Sequence, residues 1–307
     1  MVATRAFLLA LALSLPARAD EAPPAAPLPG APEAPASAPA PAPGVDPAAP
    51  AVEPPQAFPV EHVVGPVTGK LGGEATVSVP DKHLFIEQPS ALKQFFEITQ
   101  NVYDSSVKGI LLPPLAGDAQ WWVVFQFQAD GYVKDEDKDD IDADAILETL
   151  QKGTEAGNAS RRERGWDEIK ITGWHTKPKY DQATHNLEWA TIVESKSGKS
   201  VNYEVRLLGR RGVMSATLID SPEAIAATLP ALRAAIGSFT YVAGEDYGSY
   251  QEGDKVAEYT LAALIGGGTL ALAAKTGILQ KFWKFIVAGF VALAAGVKRL
   301  FSRKKGE

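Results

Sequence analysis

The stretch VNYEVRLLGRRGVMSATLID, residues 201–220, decides the fold class. Val201 to Leu208 and Val213 to Ile219 are each strand-length runs rich in β-branched and large apolar residues, and only Gly209, Arg210, Arg211 and Gly212 separate them. Two such runs joined by a glycine-bounded turn read as a tight antiparallel hairpin. Upstream, Ile169 to Trp174 and Leu187 to Val193 have the same character, with Pro178 in the first connection and Ser197 and Gly198 in the connection to Val201. The four runs predict an antiparallel meander. Further upstream, Trp121 to Phe127 is too short for a buried helix and is flanked by Gly117 and Gly131, which predicts a strand covered on both faces in the middle of the sheet.

Helices are expected around this sheet. Ser90 reads as the cap of a helix through about Gln100, with Leu92, Phe95, Phe96 and Thr99 at helical spacing. Asp140 to Lys152 reads as a second, with Ile146, Leu147 and Leu150 as its apolar stripe and Gly153 or Gly157 ending or loosening it. Ser221 and Pro222 supply a cap and first-turn proline for a third through Ile236, followed by a short strand from Phe239 to Val242. The expected class is α+β, with one antiparallel sheet, packed helices and a membrane-spanning region at the C-terminal end.

The two ends of the chain carry different signals. Arg5, the apolar run Ala6 to Leu15 and the exit Pro16-Ala17-Arg18-Ala19 read as a secretory signal over residues 1–19. Residues 20–59 hold 14 of the 23 prolines and almost no large apolar side chain, the composition of a disordered linker. A periplasmic domain is expected over residues 60–248, a membrane anchor of one or two helices over 256–300, and a basic tail over 301–307. Tyr259 to Ala274 and Phe282 to Val297 are the candidate crossings, each slightly short of the roughly 20 residues a bilayer needs. The second is nearly free of charge and runs into Lys298, Arg299, Arg303, Lys304 and Lys305, whereas the first holds Gly266, Gly267 and Gly268. Basic residues favour the cytoplasmic side, so an exported domain with this tail is self-consistent with a single crossing. Ala288, Ala292 and Gly296 form a small face at four-residue spacing, which suits helix packing but also follows from an alanine-rich chain.

The chain has no cysteine, so disulfides and thiol chemistry are excluded. Of its formal charge of −7, the segment Lys275 to Lys305 contributes eight basic and no acidic residues, so the rest is more acidic still. That balance argues against nucleic acid. The lipid bilayer is the expected partner, together with another envelope protein or a second copy of this chain, and the expected location is the bacterial inner membrane with the main domain in the periplasm.

No motif assigns catalytic, cofactor-binding or metal-binding residues, and no cofactor is expected. The acidic run Asp130, Asp135 to Asp137, Asp139, Asp140, Asp142 and Asp144 is the densest, but counting from Asp135 puts Asp140 where a calcium loop needs glycine and Ile146 where it needs glutamate. The same carboxylates suit the N-terminus of the following helix, and both readings are open. Arg161, Arg162 and Arg164, with Arg210 and Arg211, suit either an anion or lipid headgroup or a solvated helix end and turn. His62, His83, His175 and His185 do not fall at metal spacings, and no G-x-S-x-G elbow singles out a serine. Trp121, Trp122, Trp166, Trp174 and Trp189 are expected as core anchors, with Trp174 the one nearest a surface site. The favoured function is a non-enzymatic periplasmic binding or scaffold domain. The alternative is an envelope hydrolase or ligand-binding enzyme with a site near Trp174, His175 and Asp181, joined by His185 or Glu188.

From Phe58 onward the sequence resembles a bacterial family of uncharacterised membrane-anchored proteins, domain of unknown function 2167. The likeness rests on Trp121 to Asp144, on Gly165-Trp166 and Gly173-Trp174, on Pro178, Tyr180, Asp181, Thr184 and Asn186 to Ala190, and on Asn202 to Met214 with its LLGRRGVM ending. It implies the same topology and no activity, cofactor or catalytic residue. The long Ala/Pro linker departs from it as an added spacer.

Overall fold

The computed structural model describes residues 58–266. The expected signal, nearly all of the linker and the candidate crossing Phe282 to Val297 lie outside the described residues. In chain order the strands are β1 Val63–Val64, β2 Val67–Leu71, β3 Ala75–Val79, β4 Leu84–Ile86, β5 Val107–Leu112, β6 Trp122–Gln128, β7 Lys170–Asp181, β8 Asn186–Ser195, β9 Gly198–Leu208, β10 Val213–Asp220 and β11 Thr240–Tyr241. The helices are α1 Pro89–Ile98, α2 Ala143–Glu163, α3 Ile225–Ser238 and α4 Leu261–Gly266.

The main sheet has eight strands in the order β1-β4-β5-β6-β10-β9-β8-β7, and every neighbouring pair is antiparallel. Two meanders, β4 to β6 and β7 to β10, meet where β6 pairs with β10; α2 carries the chain between them to the far edge. Trp122 to Gln126 are buried without alternation, as expected of a strand covered on both sides. The single expected sheet is corrected to two, because β2, β3 and β11 form a separate three-stranded sheet in the order β11-β3-β2. Its Leu71, Ala75, Val77 and Val79 pack with Ile225, Leu232 and Ala235 of α3 against one face of the main sheet. On the opposite face, Ile146 and Leu150 of α2 and Leu261, Leu264 and Ile265 of α4 pack with Leu187, Trp189, Leu208 and Val213. Phe95 of α1 meets Trp122 edge-on beside them, with ring centroids 5.8 Å apart. Burying Leu261, Leu264 and Ile265 contributes on the order of 5–8 kcal/mol, at about 1.5–3 kcal/mol per large aliphatic side chain.

Several element limits differ from the sequence reading. Pro89 opens α1, so Gln88 rather than Ser90 occupies the cap position and no side chain bonds there. Asp142 caps α2 by accepting from the amides of Asp144 and Ala145. The helix then runs ten residues past Gly153, through Gly157, to Glu163. Tertiary anchoring outweighs the glycine cost: buried Asn158 donates to the Ile169 carbonyl at 2.9 Å and accepts from the Ile169 amide at 3.0 Å, fastening the helix to the start of β7. Pro178 lies within β7 rather than beyond it, which costs no ladder bond on the open side because β7 is the sheet edge. Ser221 caps a turn, accepting from Ala224, and α3 itself begins at Ile225. The strand after α3 is only Thr240–Tyr241 and joins the small sheet.

Gly153 and Gly157 are exposed inside α2, and a Cβ on either meets no atom within 4 Å. Gly153→Ala and Gly157→Ala are each expected to stabilise the protein by up to about 1 kcal/mol. Asn158→Ala is expected to cost about 2 kcal/mol by stranding the Ile169 groups. Urea unfolding followed by tryptophan fluorescence measures both effects.

Candidate functional site

The face that carries α1, α2 and α4 has a polar centre. Along β9, Asn202, Glu204 and Arg206 point to it, while Val201, Tyr203, Val205 and Leu207 point to the other face. Register aligns Ser215 of β10 with Arg206 and with Gln126 of β6, Thr217 with Glu204, and Asn202 with Thr191 of β8. Cross-strand partners stand about 5 Å apart, so these side chains form one continuous row. Every one is at most 8 % exposed.

Glu204 and Arg206 form an ion pair at 2.9 Å, and the Arg206 guanidinium lies 5.2 Å from the centre of the Trp189 ring. Burial raises the Glu204 pKa, and Arg206 opposes the shift. Around this pair, the Asn202 amide, Arg206 Nε, Ser215 Oγ, Thr217 Oγ1 and Trp122 Nε1 are buried without a hydrogen-bond partner among the described residues. An uncompensated buried polar atom costs about 1–3 kcal/mol, so this row is costly to bury. The signal in sequence was the polar-apolar alternation of residues 202–207 and 214–217. Alternation alone reads as a solvated strand face, which is why it did not single these residues out.

A second assembly stands beside α4. The chain from Asp254 to Leu261 is fastened to the acidic loop that follows β6. Asp254 accepts two bonds from Arg210, at 2.7 and 2.9 Å. Tyr132 accepts from the Ala257 amide and donates to the Lys255 carbonyl, both at 2.8 Å. The Tyr259 hydroxyl donates to Asp130 at 2.8 Å, and the Leu261 amide donates to Asp137 at 3.2 Å. Gly131 permits this approach: its φ is +111°, and a Cβ there stands 2.5 Å from the Lys255 carbonyl oxygen. Three members of the acidic run, Asp130, Asp137 and Asp142, thus hold a strap or cap a helix. Among the described residues no group of three or more His, Asp or Glu is arranged to hold a metal ion.

Next to the strap, Tyr132 stacks on Tyr247 at 4.5 Å, and the His185 ring lies 4.3 Å from that of Tyr247. The Tyr180 hydroxyl donates to Asp135 at 2.8 Å and stands 3.1 Å from His185 Nδ1. Its one proton is committed to the carboxylate, so Nδ1–H donates to the phenol oxygen. Burial, reinforced by Asp135, raises the Tyr180 pKa, and burial raises that of Tyr247. A nucleophile or general base needs the opposite shift, so these phenols act as hydrogen-bond donors and stacking surfaces.

The remaining residues singled out in sequence do not converge. Trp174 is half-buried and donates Nε1–H to the Ala143 carbonyl, fixing the start of α2. His175 is exposed and contacts Thr176, while Asp181 shapes the next turn by accepting from the Ala183 amide. Six residues of strand, about 20 Å at 3.3 Å each, separate His175 from Asp181. Glu188 faces the opposite side of the sheet, accepting from Arg233 at 2.7 Å and Tyr203 at 3.2 Å. Of these five, His185 is the one that reaches the aromatic cluster beside the strap. Trp121, Trp122 and Trp189 are buried core residues, and Trp166 lies beneath the guanidinium groups of Arg161 and Arg164. Arg211 pairs with Glu245 and Arg162 with Glu168.

The family described as protein of unknown function (DUF2167) matches residues 64–298. No curated protein matches the chain. Among solved structures, the solution structure of cyanobacterial PsbP (CyanoP) from Synechocystis sp. PCC 6803 is similar over 56 % of this chain and 89 % of that one, at 8 % identity and a TM-score of 0.36.

Two outcomes test the electrostatics. Arg206→Met alone is expected to destabilise the fold by about 3–5 kcal/mol by leaving Glu204 buried and uncompensated, and adding Glu204→Gln should restore most of that loss in urea titrations. Asp254 is lowered to about 2 by the bonds from Arg210 and the Gln251 amide. Its folded pKa lies below the unfolded value near 4, so its contribution is present above about pH 4 and is lost as pH falls toward 2. The stability gap between wild type and Asp254→Asn should close across that window.

Proposed function

The chain belongs to the DUF2167 family of unknown function, and from that premise we propose that it is a membrane-anchored envelope protein whose domain is a non-enzymatic binding or scaffold module in the periplasm. One observation carries this reading: Phe282 to Val297 holds a single charged residue, Lys284, and is followed by five basic residues and no acid through Lys305. An apolar run with a cationic end is the pattern of a helix that stops in a bilayer with its basic flank in the cytoplasm. The run Ala6 to Leu15 supports export of the domain behind it, and the proline-rich segment to residue 59 supplies reach, on the order of 100 Å if fully in polyproline II.

The bonding of the strap supports the anchored part of this reading. Residues 254–261 tie the chain that leads into the tail to the domain through one bidentate ion pair, two backbone bonds and two bonds to aspartates. A tether fixed in this way transmits load from the bilayer to the sheet instead of hanging from it. The partners in this reading are the lipid bilayer and a second envelope component, either another protein or a second copy of the chain.

Separation of cell membranes tests the anchor. The protein should sediment with the inner membrane, resist an alkaline wash and dissolve in mild detergent. A periplasm-active reporter placed after Gly253 should be active, and the same reporter after Lys304 inactive. Recovery of the chain in the soluble fraction, or activity of both fusions, contradicts the proposal.

A further inference from the structure

The hairpin tip LLGRRGVM holds two glycines, and each makes room for an aromatic ring. A Cβ on Gly209 stands 2.7 Å from Tyr241 Cζ, and one on Gly212 stands 2.8 Å from Phe127 Cζ, closer than a Cβ can come. The two rings meet edge-on at 6.5 Å and, with Val242, form the floor of an open cleft of about 280 Å³ at the seam between the two sheets. The Tyr241 hydroxyl donates to the Leu207 carbonyl at 2.7 Å and accepts from the Met214 amide at 2.9 Å, which fixes the floor. Val242 stays 41 % exposed, so this apolar lining is open to water. Charge gathers at the mouth: Arg211 from the hairpin, Glu245 from the loop after β11, and Glu74 from the turn between β2 and β3. Arg211 pairs with Glu245, and Glu74 stands 3.7 Å from Lys108. Backbone bonds fasten these walls to one another. The Val242 amide donates to the Glu74 carbonyl at 2.9 Å, the Glu245 amide to the Val242 carbonyl at 3.0 Å, and the Arg210 amide to the Glu245 carbonyl at 2.9 Å.

We infer that this cleft is a binding site for a free α-amino acid with an apolar side chain. Charge sets the class. A ligand with only negative charge meets the carboxylates of Glu74 and Glu245, and one with only positive charge meets Arg211 and, beside Glu74, Lys108. An α-amino acid carries both charges on one carbon and satisfies both signs at once. Its carboxylate suits the planar fork of Arg211, whose side chain is 68 % exposed and meets Glu245 through Nη2, leaving further N–H donors to offer. Its ammonium suits Glu245 and Glu74, and its side chain covers Phe127, Tyr241 and Val242. Size limits the occupant. A volume of about 280 Å³ falls just below the roughly 300 Å³ at which sites for drug-sized ligands begin, so the cleft takes a single amino acid and not a length of peptide. The inference extends the binding role proposed above and is independent of the anchor.

Calorimetric titration of the full-length protein, purified in mild detergent, tests this with L-leucine, L-methionine and L-phenylalanine. At least one should bind one-to-one with a Kd of about 1 mM or tighter. The tightest is then compared with the amine that lacks its carboxylate and the acid that lacks its amine, which for leucine are 3-methylbutylamine and 4-methylpentanoate. Each should bind at least about tenfold more weakly, the least that a hydrogen bond to a charged group is worth. Ala129→Trp, which fills the mouth from an exposed position, and Arg211→Gln should each weaken the amino acid by at least about tenfold with little change in the urea midpoint, while Arg162→Gln leaves binding as it was. The ligand comparison uses the unaltered chain, so it decides the matter even where a variant fails to fold. Absence of binding by all three amino acids overturns the inference. So does an amine or an acid that binds as tightly as the amino acid, and so does binding that neither Ala129→Trp nor Arg211→Gln weakens. None of these results bears on the anchor, which membrane separation tests by itself.

Discussion

The pairing of β6, β10 and β9 is the constraint on which the rest of the structure depends. Their antiparallel register fixes which side chains share a face, and a shift of one residue exchanges the two sets completely. In the observed register, Val205, Ala216 and Phe125 align on the face that meets α3 and the small sheet. Arg206, Ser215 and Gln126 align on the other face. A slip therefore puts the Glu204–Arg206 pair into an apolar layer that offers it nothing, while Tyr203 and Val205 enter the polar row. Desolvating an ion pair without its partners costs several kcal/mol, so the polar row specifies the register as well as occupying it.

The chain leaves the sheet through a junction of the same kind, where polar groups set position and apolar burial supplies strength. Asp130 and Asp137 each accept one bond from the strap, Arg210 grips Asp254 with two, and the aliphatic side chains of α4 then enter the layer under α2. Burial of the three aliphatic side chains contributes on the order of 5–8 kcal/mol, so the larger part of the hold comes from Leu261, Leu264 and Ile265. The aspartates direct where those residues go. This gives the acidic run a physical role that asks for no metal.

Much of the fold was legible because its main elements are local in sequence. The hairpin at Gly209–Gly212 and the strand at Trp122 carry their signals within a few residues. What could not be read depended on distant partners. Gly153 and Gly157 look like the end of a helix until Asn158 is seen bonded to Ile169, and Pro178 looks like a loop until β7 is known to be an edge. The small sheet was missed because β2, β3 and β11 are short and meet only after α3 has returned the chain. The polar row was invisible for a related reason: alternation in β9 marks one face as polar, and only the folded chain shows that this face is buried. Trp174, His175 and Asp181, grouped in the alternative reading, do not converge, because closeness along an edge strand is not closeness in space.

The central claim is that the residues leading to the tail are core, held as firmly as the sheet they cover. Hydrogen exchange of the full-length protein in nanodiscs measures this directly. If the claim holds, the amides of Ala263 to Gly266 exchange only through the same opening that exposes β9 and β10, with matching free energies and the same response to denaturant. Exchange of those amides in an independent event of low free energy, while β9 and β10 stay protected, contradicts it.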